Sequence, residues 1–268
     1  MKYAEVIGQP ISHSKSPLIH RFWLDRLGIV ADYRTHDVAP EKLSAYFAER
    51  GDDPAWRGCN ITIPHKIAAL DFVADPGDVR NSIGAINVVF RDEAGVLTGT
   101  NSDAGGFYGP IADWPLVGES AVVIGSGGAA RAVLFALAQA DVGEVVILAR
   151  NALRAAALLA HFGLKGRVLP MDARLPEATL LVNASPLGMK GQEPLTLDLA
   201  PLPDDALVYD LVYAPIETEL LKAARERELD TVDGLEMLVG QAAIAFELFF
   251  GQAPPDDGED ELRAKLLA

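Results

Sequence analysis

Four polar segments carry the side chains that could do chemistry: Ser12-His13-Ser14-Lys15-Ser16-Pro17, Asn60-Ile61-Thr62-Ile63-Pro64-His65-Lys66, Asn87 and Asn101-Ser102-Asp103. They stand at the ends of short apolar stretches and in the loops beside them. In open α/β sheets ligands bind outside the carboxyl ends of strands. Hydroxyls, amides and one carboxylate are the groups needed to hold a polyol ring. Oxidising an alcohol also needs a base for the hydroxyl proton as hydride leaves, and Lys66 and Asp103 are the candidates. A lysine amine becomes a usable base when desolvation lowers its pKa. A neighbouring aspartate pulls the other way, so orientation and hydrogen bonding to substrate suit Asp103. Spacing alone leaves the assignment open, because a lone lysine is usually solvated.

A second chemical signal is Gly125-Ser126-Gly127-Gly128-Ala129-Ala130, which fits the G-x-G-x-x-G/A dinucleotide fingerprint. Gly125 can make the tight turn, Gly127 lets the backbone approach a pyrophosphate, and Ala130 lets the helix pack near the strand. The helix N-terminus offers N–H groups and a positive dipole end to the phosphates. Such a loop can also be a bare strand-to-helix turn. Here an apolar strand precedes it, a helix follows, and a second strand ends at Ala149-Arg150-Asn151. NAD enzymes usually carry Asp or Glu there for the ribose 2′-hydroxyl. This chain has Arg150 instead, with Arg154 one helical turn on. A guanidinium suits a 2′-phosphate by charge and fork geometry, so NADP is favoured over NAD. The alternative for Arg150 is a solvated surface arginine.

These groups need elements to position them. Before residue 103, strands expected at Tyr3–Gly8, Asp32–Val38, Gly58–Thr62 and Ile86–Arg91 alternate with helical stretches at Ser16–Leu27, Pro40–Arg50 and Ile67–Phe72. That alternation predicts a largely parallel, helix-covered sheet. A second pattern opens with strand Ser120–Ile124, helix Ala129–Ala140 and strand Glu144–Ala149, one βαβ unit. Helix Leu153–His161, strands Leu180–Asn183 and Leu207–Leu211, helix Glu217–Glu228 and strand Asp230–Val232 follow. Helix Gly234–Phe250 is apolar enough to be buried. The expected fold class is α/β: two α/β domains, an N-terminal substrate domain and a Rossmann NADP-binding domain, with a cleft between them. The boundaries expected are 1–103 plus 236–268, and 104–235.

Bulk properties narrow the function. The net charge of −15 opposes nucleic-acid binding, since phosphates are repelled. No run of about 18 apolar residues suggests a membrane span, and the start reads as a short strand rather than a signal peptide. The one cysteine, Cys59, cannot form an intrachain disulfide, which fits a cytoplasmic home. Cys59 reads as a small buried hydrophobe and His65 as structural or solvated. The five histidines do not pair at metal-ligand spacing, so no metal is expected. Ser12-His13-Ser14-Lys15 matches the S-x-x-K of acyl-transfer enzymes, but the partner motifs S-D-N and K-T-G are absent. The acidic run from Asp256 to Glu261 reads as a solvated cap or tail.

Taken in order, the motifs resemble those of the shikimate dehydrogenase family over nearly the whole chain. Ile7-Gly8-Gln9-Pro10-Ile11-Ser12-His13-Ser14-Lys15-Ser16-Pro17 resembles the family's opening motif, which implies that Ser14 and Ser16 bind the substrate carboxylate. Gly58-Cys59-Asn60-Ile61-Thr62-Ile63-Pro64-His65-Lys66 resembles the segment with the catalytic lysine, here Lys66, and a substrate-contacting threonine, here Thr62. Asn87 and Asp103 match a substrate asparagine and the catalytic aspartate. Tyr213-Ala214-Pro215-Ile216-Glu217-Thr218 and Gly234-Leu235-Glu236-Met237-Leu238-Val239-Gly240-Gln241 also match, which implies that Tyr213 and Gln241 bind substrate. Asn183-Ala184-Ser185-Pro186-Leu187-Gly188-Met189 resembles the loop beside the nicotinamide. By resemblance, Gly125, Ser126, Gly127, Gly128, Ala129, Ala130, Arg150, Asn151, Arg154, Leu211, Gly234 and Met237 bind the cofactor.

The implied reaction is reversible oxidation of shikimate to 3-dehydroshikimate by NADP, in the route to aromatic amino acids. Lys66 accepts the proton in oxidation and returns it in reduction, with no metal needed. A monomer or homodimer acting on a small molecule, without nucleic acid or membrane, is expected. The chain departs from the family pattern in three places. Ala149-Arg150-Asn151 replaces Asn-Arg-Thr, Ser102 replaces a threonine, and Val88 replaces a threonine after Asn87. These bear on cofactor affinity and ring selectivity, not reaction type. Three rival readings compete with this one. A quinate/shikimate dehydrogenase preferring NAD is opposed by Arg150. A glutamyl-tRNA reductase-like enzyme would need a nucleophilic cysteine and a tRNA surface. A non-catalytic NADP-binding regulator would have no use for Lys66 and Asp103.

Overall fold

The computed structural model describes residues Met1–Ala268. The chain divides into two compact units, Met1–Asp103 with Val239–Ala268 (unit 1) and Ala104–Leu238 (unit 2). The return to unit 1 falls at Val239, a little beyond the expected Glu236.

Unit 1 is built on strands β1 (Lys2–Gly8), β2 (Ala31–Asp37), β3 (Trp56–Ile61), β4 (Val88–Arg91) and β5 (Leu97–Thr100), ordered β2-β1-β3-β4-β5. β1 runs parallel to β2 and β3, but β4 is antiparallel to both β3 and β5. The expectation of a largely parallel sheet is therefore corrected to a mixed one. Length accounts for the β4–β5 pairing: a parallel crossover needs a dozen or more residues, and only Asp92–Val96 separates β4 from β5. That link is a tight turn, with Gly95 at φ +82° and Asp92 Oδ1 accepting from the Val96 amide at 2.8 Å.

The helices of this part are α1 (Ser16–Arg26), α2 (Leu43–Asp52) and α3 (Val79–Ser82). A 3₁₀ turn, Pro40–Lys42, leads into α2, and a second, Ala68–Phe72, stands where a regular helix was expected. On one sheet face Ala4, Val6, Tyr33 and Val88 form a core with Ala245 and Phe249. On the other face Glu5 is buried and paired with Arg50, whose Nε lies 2.5 Å from its carboxylate.

Unit 2 begins with α4 (Asp103–Tyr108), whose first residue still belongs to unit 1. It holds β6 (Ser120–Ile124), β7 (Glu144–Leu148), β8 (Gly166–Leu169), β9 (Leu180–Asn183), β10 (Leu207–Asp210) and β11 (Asp230–Val232). The order is β11-β10-β9-β6-β7-β8, with every pairing parallel. This is the doubly wound Rossmann order, and the winding reverses between β6 and β9. Helices α5 (Gly128–Gln139), α6 (Ala152–His161) and α7 (Glu219–Glu226) link the strands. The inner strands are apolar on both faces, as a helix-covered parallel sheet requires. Val123 and Ile147 enter one core, Val122, Ile124 and Leu148 the other. The edge strand β8 had no apolar alternation to announce it.

Helix α8 (Gly234–Phe250) starts in unit 2 and continues into unit 1 from Val239. Its Phe249 packs against Gly58, where a Cβ would come within 2.4 Å of the ring. The acidic run read as a solvated cap or tail is exposed, and its last three residues open α9 (Glu259–Leu267), which lies beside α1 and buries Leu262 and Leu266. Glu259, Asp260 and Glu261 occupy its first turn, where the helix dipole favours carboxylates. No helix is long and apolar enough to cross a membrane.

Candidate functional site

In unit 1 the loop after β3 delivers Lys66. His65 anchors that loop: it is buried, and its Nε2 lies 2.7 Å from the Val38 carbonyl. The Lys66 carbonyl accepts from the Ile86 amide at 2.8 Å, which ties the loop to the segment ahead of β4. The Lys66 ammonium donates to Asp103 Oδ2. The other carboxylate oxygen, Oδ1, accepts from Asn87 Nδ2 at 2.8 Å. Asn87 also reaches Ser102 Oγ at 2.9 Å and Gln241 Oε1 at 3.3 Å, while its own Oδ1 accepts from the Ser102 amide at 2.7 Å.

Asp103 is almost wholly buried, but the Lys66 side chain keeps 16 % of its surface open. A buried carboxylate is costly unless paired and hydrogen-bonded, and Asp103 is both. The ammonium thus has a fixed partner on one side and solvent access on the other. That arrangement can hold an alcohol oxygen and move its proton.

The structure therefore joins four expected residues, Lys66, Asp103, Asn87 and Gln241, in one hydrogen-bonded group. Asn60 and Ser102 complete it, although sequence reasoning gave neither a role. Asn60 Nδ2 lies 3.4 Å from Gln241 Oε1, and Ser102 Oγ lies 3.5 Å from the same oxygen. Their signal was position: each is a small polar residue within a motif that already carried a candidate.

Ser14 and Ser16 form a separate pair at the start of α1, where Ser14 Oγ accepts from the Ser16 amide at 3.3 Å. Thr62 is half-buried, and its methyl would sit 2.6 Å from a Cβ on Gly8, so Gly8 is what admits it. Tyr213 follows β10 in unit 2. Cys59 is fully buried, and burial pushes its thiol far above the usual range, so it is no ready nucleophile. No group of three or more His, Cys, Asp or Glu comes together that could hold a metal.

In unit 2 the Gly-rich loop lies at the carboxyl end of β6, beside the reversal of winding. Gly125 has φ +108°, and a Cβ there would stand 2.9 Å from the Ala184 carbonyl oxygen. Both facts demand glycine. At Gly127 a Cβ would meet no atom within 4 Å, so the space over the loop is open. α5 has no side-chain cap and no acidic residue in its first turn, and Ala130 is buried beneath. Open N–H groups, a positive helix end and clearance above them fit a pyrophosphate.

Beyond β7, Arg150 and Arg154 are exposed, and Asn151 caps α6 through Oδ1, which accepts from the Arg154 amide at 2.9 Å. Sequence reasoning missed Arg131, in the first turns of α5. Burial, and then the charge of Arg154, lower its pKa. This places positive charge together in a molecule of net charge −15.

A buried polar knot ties the next two loops. Asp210 Oδ1 accepts from Asn183 Nδ2 at 2.8 Å and Oδ2 from the Thr218 hydroxyl at 2.6 Å. Asn183 Oδ1 in turn accepts from Ser185 Oγ at 2.7 Å. Burial raises the Asp210 pKa, while these donors, the Val212 amide among them, oppose the shift.

Residues 6–89 match the shikimate dehydrogenase substrate binding domain, and residues 234–258 match the shikimate 5′-dehydrogenase C-terminal domain. The shikimate dehydrogenase (NADP(+)) of Sphingopyxis alaskensis is 64 % identical over 266 residues, covering 99 % of this chain and 97 % of that protein. That of Azorhizobium caulinodans is 44 % identical over 96 % of this chain and 93 % of its own. Among solved structures, shikimate 5-dehydrogenase from Thermus thermophilus, in complex with NADP(H) and shikimate, superposes with a TM-score of 0.87 at 39 % identity, covering 100 % of both chains. With sequence and topology in agreement along its whole length, the chain belongs to the shikimate dehydrogenase family.

Proposed function

We propose that this chain catalyses the reversible, NADP-dependent oxidation of shikimate to 3-dehydroshikimate. The observation that carries the reading is the Lys66–Asp103 pair, buried on the carboxylate side and open on the ammonium side. NADP supplies the hydride acceptor when bound. Lys66 takes the proton of the reacting hydroxyl and gives it back in reduction, after the amine has lost its own proton. Asp103 orients both the lysine and that hydroxyl, and Asn87 holds Asp103 in place. Ser14 and Ser16 hold the substrate carboxylate. Thr62, Asn87, Tyr213 and Gln241 bind the rest of the ring.

The cofactor is held by Gly125, Ser126, Gly127, Gly128, Ala129 and Ala130 around its pyrophosphate, and by Arg150, Asn151 and Arg154 at the 2′-phosphate. Leu211, Gly234 and Met237 complete its site. Supporting these roles are the strained glycine turn, the clearance over Gly127 and the basic residues beyond β7. The chain serves aromatic amino-acid biosynthesis through chorismate, in the cytoplasm, as a monomer or homodimer.

The test is NADPH or NADH absorbance with shikimate and quinate, each against NADP and NAD. Turnover should be fastest with shikimate and NADP. Quinate with NAD as the preferred pair would establish the rival reading, a quinate/shikimate dehydrogenase. No turnover with either acid would overturn both.

A further inference from the structure

Tyr33 lies on β2, outside every motif that points to chemistry, and is fully buried. Its ring stacks on His20, with centroids 3.9 Å apart and planes 4° apart, and Phe249 lies 6.5 Å away. His20 is neutral, because burial drives its pKa down to about 3. The stack therefore carries no charge and fixes where the phenol points. That phenol donates to Asn60 Oδ1 at 2.6 Å. Burial, then Cys59 and Glu5, raise the phenol pKa, while the Ser16 hydroxyl lowers it by hydrogen bonding.

An amide whose oxygen faces Tyr33 presents its NH₂ on the opposite side. Asn60 Nδ2 accordingly lies 3.4 Å from Gln241 Oε1 and 3.5 Å from the Asn87 carbonyl. Were the amide flipped, its oxygen would face two acceptors. Gln241 Oε1 also receives Asn87 Nδ2 at 3.3 Å and Ser102 Oγ at 3.5 Å. With these donors on one oxygen, the amino end of Gln241 is turned the other way.

We propose that Tyr33 is a positioning residue of the substrate site: it holds the Asn60 carboxamide in one of two orientations and, through it, aims the amino end of Gln241 at a ring hydroxyl. The inference rests on reading unit 1 as the shikimate-binding unit.

Tyr33→Phe removes one oxygen and keeps the stack. KM for shikimate should rise about tenfold, as for one lost buried hydrogen bond. kcat should stay within about twofold, as for loss of uniform binding, and KM for NADP should not move. In an Asn60→Ala background the same substitution should add nothing, because the two residues act as one unit. An equal rise in KM with and without Asn60 would overturn the proposal. A second readout needs no substrate: the side-chain amide resonances of Asn60 in ¹⁵N-labelled protein should shift in Tyr33→Phe. Unchanged resonances would sink the proposal even if shikimate is turned over. A shifted resonance in a chain that ignores shikimate would uphold the Tyr33–Asn60 coupling and remove only the substrate assignment.

Discussion

In the proposed reaction Lys66 bonds to a carboxylate and still exchanges a proton with substrate, and its partly open side chain is compatible with both. A positioned acid–base group contributes about 10²–10⁴-fold, so Lys66→Ala should lower kcat by that factor with a much smaller change in KM. Asp103→Asn should also lower kcat, since it keeps the shape and removes the charge. NADP titration should find both variants still competent, and a near-normal kcat for Lys66→Ala would reduce Lys66 to a binding role. Arg150→Ala should weaken NADP by roughly 1.5–3 kcal/mol, the value of a charge-assisted bond, and leave NAD nearly untouched. Equal loss of both cofactors would show that Arg150 does not read the 2′-phosphate. His20 gives a prediction of pH dependence. Its pKa is about 3 when folded, against 6.5 for a free histidine. Between those values the unfolded chain binds a proton that the folded one does not, so this contribution is lost as pH falls below about 6.5. At pH 5 the loss is about 2 kcal/mol. His20→Phe should abolish that part of the slope, and urea unfolding of both proteins at pH 7 and pH 5 would check it. Lys66, Asp103, Asn87 and Gln241, which hydrogen bonds join, were legible as candidates because each sits in a contiguous motif. Tyr33 and His20 were not, because their importance arises from contacts among β2, α1, β3 and α8, which no local pattern encodes.

At the scale of elements, two glycines set how closely segments approach. Gly125→Ala would put a Cβ against the Ala184 carbonyl in a left-handed conformation. Strain of about 1–3 kcal/mol at such a position should raise the Kd for NADP by about tenfold or more, measurable by fluorescence titration. Gly58→Ala would drive a methyl into Phe249 and lift α8 from the sheet. Overpacking of this kind costs about 1–3 kcal/mol, and unchanged urea stability would contradict it. Apart from α4 and the edge strand β8, the strands and helices of unit 2 were read within a residue or two, because apolar strands alternate there with periodic helices. β4 was read within Ile86–Arg91, but β5 was missed: Leu97-Thr98-Gly99-Thr100 has a single apolar residue and no alternation to register. α9 was missed for a different reason. Its charged first turn masked the spacing of Leu262 and Leu266, which only burial beside α1 reveals.

For the whole molecule, the division into two units predicts where each ligand leaves its mark. Hydrogen exchange with shikimate alone should slow amides around Ser14–Ser16, Asn60–Lys66 and Asn87–Asp103. NADP alone should slow those of the Gly125–Ala130 loop and the start of α6. Protection by shikimate confined to residues 104–238 would overturn the assignment of the units. The twofold α/β organisation was legible because each half carries its own alternation of strand and helix. The point of return at Val239 was not, since it falls inside one uninterrupted helix. That return has a consequence for the chain during synthesis. Unit 2 is contiguous and can close as soon as its last residue leaves the ribosome. Unit 1 is translated first but completed last, because Gln241, Ala245, Phe249, Leu262 and Leu266 all come after residue 238. Until they arrive, Gly58, Ala4 and Val6 have no α8 to cover them, and a nascent chain stalled before residue 239 would display a bare sheet face of the kind that chaperones bind.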